Sequence, residues 1–392
     1  MLSQPIQSRI GRYISYRTGN EVYQAYLPPA LPPDPPVSVA ASQLLLDDAN
    51  LALGRLDAVT LLLPDPPLFI YMYVRKEAVL SSQIEGTQSS LSDLLLFEND
   101  QAPGIPLNDV TEVSSYVAAM KHGLDRMRSG FPLCLRLLRE IHEVLLARGR
   151  GEHKTPGEFR TTQNWIGGTR PGNATYVPPP VDQLMSHLDN FEKFLHSKPG
   201  LPVLVRAALA HVQFESIHPF LDGNGRLGRL LITLLLCSEG VLREPVLYLS
   251  LFFKQNRQRY YDLLQEVRLT GNWETWIEFF LEAVAHTATQ AVDAARQVVA
   301  IFQEDRAKIQ QLGRPAASAL MLHHYLQRHP ITSIAAASRQ LGISVPTVTA
   351  SLEHLQRLAI VKEISGKLKG RQYVYSRYID ILSLGTEPLP AG

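Results

Sequence analysis

The chain has 392 residues, enough for two or three domains of about 100 to 200 residues each, and its 45% apolar content is ordinary for a chain that buries sizeable cores. A formal net charge of +1 argues by itself neither for nor against nucleic acid or a membrane surface, so any such case has to be local. Its two cysteines, Cys134 and Cys237, each lie inside an apolar run, which reads as buried free thiols and supports neither a disulfide framework nor a cysteine metal site.

The N-terminus, Met-Leu-Ser-Gln-Pro-Ile-Gln-Ser, lacks the apolar core of a signal peptide, and no uninterrupted apolar run reaches the roughly 18 residues of a membrane span. The expectation is a cytoplasmic protein without a membrane partner. From Tyr26 to Val37 the prolines at 28, 29, 32, 33, 35 and 36 predict an extended segment lying over a domain, because proline has no N–H and a fixed φ. Val39 to Leu63 reads as a helix, with Leu46, Ala49, Leu53 and Leu56 at helical spacing, ended by Pro64, Pro66 and Pro67. The pattern is helical again from Leu68 to about Leu96, with Gly86 as its weak point.

Helical patterns then alternate with polar turns over Asp109–Arg128, Leu133–Ala147, Val181–His196 and Pro202–Glu215. One stretch differs: Gly157 to Pro180 carries Gly167, Gly168, Gly172 and three consecutive prolines, with Tyr176 and Val177 near its end, which suits a hairpin or flap. Helices resume at Arg226 and run to about Gln310, interrupted near Glu239–Pro245 and around Gly271. Gly313-Arg314-Pro315 reads as a boundary. Beyond it lie helical patterns over Ala316–Arg328, Ser333–Leu341 and Pro346–Leu358, then strand patterns at 360–364 and 372–375, the order of a winged helix. The fold class is mostly α, with a small α+β module at the C-terminus.

The residues that carry chemistry are His218-Pro219-Phe220-Leu221-Asp222-Gly223-Asn224-Gly225-Arg226-Leu227-Gly228-Arg229. Gly223-Asn224-Gly225 is a turn able to point successive N–H groups one way, and the helical run behind it places that turn at a helix N-terminus, a favourable seat for phosphate. Arg226 and Arg229 share one face of the first turn and can grip phosphate oxygens. Asp222 beside such a nest suits Mg²⁺, or Mn²⁺, held jointly with substrate oxygens. His218 is a candidate general base. Each feature alone has a bland reading as a loop residue, a turn or a solvated face. Base, metal carboxylate, phosphate nest and two arginines within twelve contiguous residues have no good structural explanation.

These twelve residues resemble the Fic-family signature, His-Pro-Phe-x-(Asp/Glu)-Gly-Asn-Gly-Arg-x-x-Arg, at every constrained position. Gly157-Glu158-Phe159-Arg160 through Tyr176-Val177-Pro178-Pro179 resembles the family's flap, and Ser81-Ser82-Gln83-Ile84-Glu85-Gly86 its inhibitory helix. The resemblance implies a Fic-type helical core with a β-hairpin flap plus a C-terminal winged helix. It divides the chain into an N-terminal helical domain over 1–110, with an inhibitory helix at about 78–96, a catalytic domain over 111–312, with the flap at 157–180 and the motif at 218–229, and a winged-helix module over 313–392.

It implies further that His218 activates a Tyr, Thr or Ser hydroxyl of a target protein, or of the chain itself, for attack on the α-phosphorus of ATP. Asp222 would hold the metal, and Gly223, Asn224, Gly225, Arg226, Gly228 and Arg229 would cradle the nucleotide. Ser81, Glu85 and Gly86 would form the inhibitory motif, with Glu85 pairing Arg229; removal of AMP from a modified target is a related activity that the resemblance leaves open. Asn256 and Tyr260, four apart, are expected near the adenosine end, with a core position as the other reading of Tyr260 and Tyr261, and Gln213, five residues ahead of His218, is expected at the edge of the pocket. Expected partners are a target docked on the flap, ATP and a second copy in a homodimer.

Basic residues at 357, 362, 367, 369, 371 and 377 around the wing leave two readings of the C-terminal module open, contact with a DNA backbone and protein docking. A kinase-like relative is disfavoured by Gly225, where the phosphorylating Doc type carries lysine. A regulator that only senses nucleotide through a DNA-binding module stands as the alternative function.

Overall fold

The computed structural model describes residues 9–19, 21–62, 66–98, 107–197, 200–366 and 370–388. Residues 1–8, Pro64, Lys367 and Lys369, all used in the sequence reading, lie outside the described residues. The chain opens on an antiparallel pair, β1 (Arg12–Thr18) and β2 (Glu21–Leu27), in register from Arg12 opposite Leu27 to Thr18 opposite Glu21. The proline-rich segment follows. It lies against the helical body, with Pro29 O accepting from Gln213 Nε2 at 2.8 Å and the Ser38 N–H bonding Glu274 at 2.9 Å.

The body is helical: α1 (Gln43–Leu62), α2 (Pro66–Ile84), α3 (Leu91–Glu98), α4 (Leu107–Arg128), α5 (Leu135–Leu145), α6 (Val181–His196), α7 (Val203–Ile217), α8 (Asn224–Ser238), α9 (Ser250–Gln255), α10 (Arg257–Thr270) and α11 (Trp273–Gln310). α7 is buried from Leu204 to Ile217, as a helix apolar nearly all round must be, and α8 packs along it. Trp276 closes this core without exposure, its indole N–H bonded to Ala208 O at 2.9 Å. α11 lies along α1 and continues to α12 (Ala316–Arg328) and α15 (Ser376–Ser383).

Between these last two come β3 (Ile331–Ser333), α13 (Ile334–Leu341), α14 (Val345–Arg357), β4 (Lys362–Glu363) and β5 (Gln372–Val374), whose strands form an antiparallel sheet in the order β3-β5-β4. Ser333 and Ser344 cap α13 and α14 by accepting the N–H three residues on. No helix of the described residues is long and apolar enough to cross a membrane. Cys134 and Cys237 are both unbridged, the first buried and the second half-buried.

Three expectations change. The helical pattern expected over 68–96 is two helices, and the segment expected at 78–96 is not one rod. α2 stops at Ile84 because Gly86 turns with φ +100°, a conformation that L side chains rarely adopt. The flap is held by a single antiparallel bridge, Ile166 to Tyr176, with the Ile166 N–H on Tyr176 O at 2.8 Å. A two-stranded ladder does not develop, since Gly167 and Gly168 bend the chain at positive φ and Pro178–Pro180 have no N–H to give. β1–β2, β3 and α15 were not anticipated. The first pair braces the flap: the Tyr26 N–H donates to Val177 O at 2.9 Å and the Gly172 N–H to Glu21 at 3.0 Å.

Candidate active site

α7 ends at His218 because proline follows it, and the residue before a proline is pushed out of the right-handed helical region. His218 takes the left-handed conformation (φ 48°, ψ 61°), unusual for a residue with a side chain, and swings out of the helix line. The loop is then pinned from three sides. Asn224 folds back, accepting the Phe220 N–H at 2.9 Å and donating to Phe220 O at 2.8 Å. Arg160 and Asn164 of the flap bond His218 O at 3.1 and 3.2 Å. His142 of α5 stacks on Phe220 with ring centres 3.7 Å apart. Its Nδ1 accepts the Gly157 N–H at 2.9 Å, so its Nε2–H donates to Asp222 O at 3.0 Å. Burial lowers the His142 pKa to about 4, which keeps that tautomer neutral.

Gly223 begins α8 in the left-handed region (φ 76°), and the first N–H groups of a helix have no intrahelical acceptor. Gly223, Asn224, Gly225 and Arg226 line a cavity of about 320 Å³ together with Asp222, His218, Glu85 and Arg150. A second cavity, of about 640 Å³, runs on the other side, bounded by Trp165 and Tyr176 of the flap, Glu215, Arg229, and Arg257, Tyr261 and Arg268 of α10. Glu85, His218 and Gly225 line both.

Two buried guanidinium groups rise from the first two turns of α8. Arg226 pairs with Glu112 of α4 at 2.5 Å and lies 3.6 Å from Asp222. Arg229 donates to Ser81 Oγ and Ser81 O, both at 2.9 Å, and to Glu85 Oε1 at 2.7 Å. Burial works to raise the Glu85 pKa, but Arg229 outweighs it and holds the carboxyl below its usual range. The last carbonyls of α2 need partners, and no basic residue of its own last turn supplies them. They come from elsewhere: Arg229 on Ser81 O, Arg257 on Ile84 O at 3.1 Å and Arg150 on Glu85 O at 3.4 Å. Cationic donors at a helix C-terminus also meet the favourable end of its dipole.

The His218 ring is 18% exposed, and burial first, then Arg268 and Arg160, lower its pKa to about 3 against the opposing pull of the Glu215 carbonyl and Glu85. The imidazole is therefore neutral at pH 7, the form a general base requires.

The structure thus brings Ser81, Glu85, His218, Asp222, Gly223, Asn224, Gly225, Arg226, Gly228 and Arg229 to one place, with Gly86 in the exposed turn just after Glu85 and with differences in detail. The Asn224 side chain is occupied by the loop, leaving only its backbone for a ligand. Gly228 faces α7: a Cβ there would lie 2.6 Å from Glu215 Oε1, so it serves helix packing and is not a nucleotide contact. Gly225 leaves room for Glu85, whose Oε1 a Cβ would strike.

Gln213 is not at the pocket's edge. Five residues separate it from His218, about 140° around a helix, and it lines a different cavity with Pro29 and His187. Asn256 is also elsewhere, its side chain bonding Phe252 O at the α9–α10 junction. Tyr260 edges the larger cavity, yet it is 1% exposed and belongs to the core. It stacks on Phe253, and its hydroxyl donates to His211 Nε2 at 2.8 Å, since His211 Nδ1 gives its hydrogen to Gly228 O.

The family model described as Fic/DOC family N-terminal matches residues 43–125, and the one described as Fic/DOC family matches residues 132–236, the segment holding this loop and α8. The chain thus carries Fic/DOC-family domains. Its relatives include proteins named protein adenylyltransferase Fic from Aedes aegypti, 33% identical over 210 residues, and from Culex quinquefasciatus, 32% identical over 210 residues. Each alignment covers 52% of this chain and 39% of the relative, so the chain spans about two fifths of the length of the curated relatives it matches.

A Fic family protein from Desulfovibrio desulfuricans G20 shares the fold with a TM-score of 0.58 and 21% identity, over 87% of this chain and 98% of that one. Fic-1 from C. elegans aligns at a TM-score of 0.50 and 21% identity, over 67% and 74% of the two chains. Several residues that shape this Fic loop escaped the sequence reading. Glu215 stood at helical spacing from His218 and could have been found by it. His142, Glu112 and Arg150 lie far from the motif in sequence and carry no local signal.

Proposed function

We propose that this chain is a protein adenylyltransferase restrained by Glu85, moving AMP from ATP onto a Tyr, Thr or Ser hydroxyl of a target protein or of the chain itself. The observation that carries the reading is the hold of Ser81 and Glu85 on Arg229, beside His218 and over a turn suited to phosphate. The name of the relatives, protein adenylyltransferase Fic, supports it.

In this reading His218 takes the proton of the target hydroxyl, whose oxygen forms the new bond to the α-phosphorus of ATP. The bond to pyrophosphate breaks and pyrophosphate leaves with the electron pair. The N–H groups of Gly223, Asn224 and Gly225 receive phosphate oxygens, and Arg226 and Arg229 neutralise the β- and γ-phosphates. Glu85, while bonded to Arg229, withdraws that guanidinium from the nucleotide.

Asp222 fits a metal ion: it is about one third exposed and faces the smaller cavity. Among the described residues no group of three or more His, Cys, Asp or Glu could cage an ion, so Mg²⁺ or Mn²⁺ would be held by Asp222 jointly with phosphate oxygens. When bound, the ion offsets phosphate charge. The target would dock along the flap, where Trp165 and Ile166 are exposed beside the larger cavity.

The C-terminal elements from α12 to β5 are read as a winged helix. Arg377, a basic residue just beyond them on α15, is committed to Glu304 at 2.8 Å and Asp305 at 3.4 Å, which does not favour a DNA role for it.

Incubation of wild type and His218→Ala with α-labelled and γ-labelled ATP and Mg²⁺ tests the function. Label on protein from the α-phosphate alone, lost in His218→Ala, is the expected result. Label from the γ-phosphate would mean a kinase, and none from either despite bound ATP would leave a nucleotide sensor.

A further inference from the structure

His218 leaves α7 one residue past its last turn, and Glu215, three residues back, follows it to the same side. Glu215 Oε2 lies 4.0 Å from His218 Nδ1, with the carboxylate 8% exposed. Neither His218 Nδ1 nor Glu215 Oε1 makes a well-formed hydrogen bond among the described residues, although the Glu215 carbonyl also acts on this imidazole. The space for this carboxyl group is provided by Gly228, where a Cβ would approach Glu215 Oε1 to 2.6 Å. Among the described residues no lysine or arginine bonds its carboxylate: Arg268 donates to Glu215 O at 3.3 Å and to Ser216 Oγ at 3.2 Å, gripping the end of α7 by its backbone and hydroxyl.

We propose that Glu215 is a positioning residue for His218, facing the Nδ1–H edge so that Nε2 is presented to the target hydroxyl, and offsetting the charge of the imidazolium that forms. The proposal rests on the adenylyltransferase reading. The hydroxyl proton ends on Nε2, Nδ1 keeps its own, and Glu215 balances the new cation without taking a proton, as a buried carboxylate behind a histidine base does elsewhere.

Arg229 of α8, Glu85 after α2, and Tyr260, Tyr261 and Arg268 of α10 surround Glu215; Arg268, Arg160 and Glu85 surround His218. Burial raises the Glu215 pKa to about 7 and outweighs the opposing effect of Arg229. The carboxylate is therefore the minor form below pH 7 and the major one above it.

The experiment uses the full chain in a Glu85→Gly background, with kcat and KM for α-labelled ATP measured from pH 5.5 to 9 beside Glu215→Gln and Glu215→Asp. In the parent, where loss of Glu85 removes one of the influences that raise the Glu215 pKa, kcat should rise with pH with a midpoint at or below about 7. Glu215→Gln should lower kcat about 10- to 100-fold, leave KM for ATP within about twofold and lose that rise. Glu215→Asp should recover part of the rate and keep the rise. An unchanged kcat and pH profile in Glu215→Gln would overturn the proposal, as would a loss confined to KM.

Should the parent move no AMP while binding ATP, the adenylyltransferase reading fails, and the positioning role is decided without turnover. Ring-nitrogen chemical shifts of His218 in isotope-labelled protein should report the Nδ1–H tautomer in wild type and a changed balance in Glu215→Gln. Identical shifts in folded protein, verified by thermal denaturation, sink the proposal.

Discussion

Replacing Glu85 by glycine removes one of the three acceptors that hold Arg229 and should raise AMP transfer. Glu85 lies just past the last residue of α2, Ile84, so glycine there avoids the cost it carries inside a helix. The lost bond joins two ionised groups at 2.7 Å, a class worth about 1.5 to 3 kcal/mol. The Glu85 carboxylate is 33% exposed, which argues for the lower end. Taken as the bias against a nucleotide-facing Arg229, about 1.5 kcal/mol corresponds to roughly a tenfold gain. Initial rates from α-labelled ATP at subsaturating concentration are the assay, with Glu85→Gln expected between the two because an amide still accepts from Arg229. Equal rates in wild type and Glu85→Gly, with ATP affinity also equal, would refute the idea that this ion pair restrains the enzyme.

Two further predictions concern stability. Glu112→Ala strands Arg226, whose side chain is 2% exposed, without its partner at 2.5 Å, and should destabilise the fold by about 3 to 5 kcal/mol, seen as a Tm several degrees lower. An unchanged Tm would mean that Asp222 takes over. Glu77 is buried on α2 beside Ser250, and burial raises its pKa to about 7 despite bonds from Ser250 and the charge of Arg229. A raised carboxyl pKa gives stability that is complete below the unfolded value near 4.5 and lost as pH climbs through about 7, by up to about 3 kcal/mol. Wild type should therefore melt lower at pH 8.5 than at pH 5, and Glu77→Gln should flatten that decline; parallel pH curves would exclude Glu77 as its source.

Local chemistry decided which parts of this arrangement could be seen in advance. The loop from His218 to Arg229 was legible because its residues are contiguous and each conformation has a local cause: a proline after His218, a glycine at the start of α8, arginines three apart. Ser81 and Glu85 were legible through the resemblance of residues 81–86 to the family's inhibitory helix, within which a spacing of four puts them on one face. Gln213 misled because closeness along α7 is not closeness around it. Tyr260 stayed open between pocket and core because an aromatic hydroxyl suits a ligand and a buried histidine equally well, and only packing distinguishes His211 as its partner. β1 and β2 escaped notice since their side chains, Arg12-Tyr-Ile-Ser-Tyr-Arg-Thr18 and Glu21-Val-Tyr-Gln-Ala-Tyr-Leu27, mix aromatic and polar residues on both faces and show no clean alternation. Glu112 and His142 act across gaps of 114 and 80 residues, where spacing carries no information.

The arginines at the end of α2 separate two properties that a single contact would have merged. Three of the acceptors they use, Ser81 O, Ile84 O and Glu85 O, are main-chain atoms that every amino acid brings to its position. These three anchors of the segment thus do not depend on the side chain at 85, while its effect on Arg229 depends on that one carboxylate. Mutation can therefore retune the restraint by degrees without unseating the helix that delivers it.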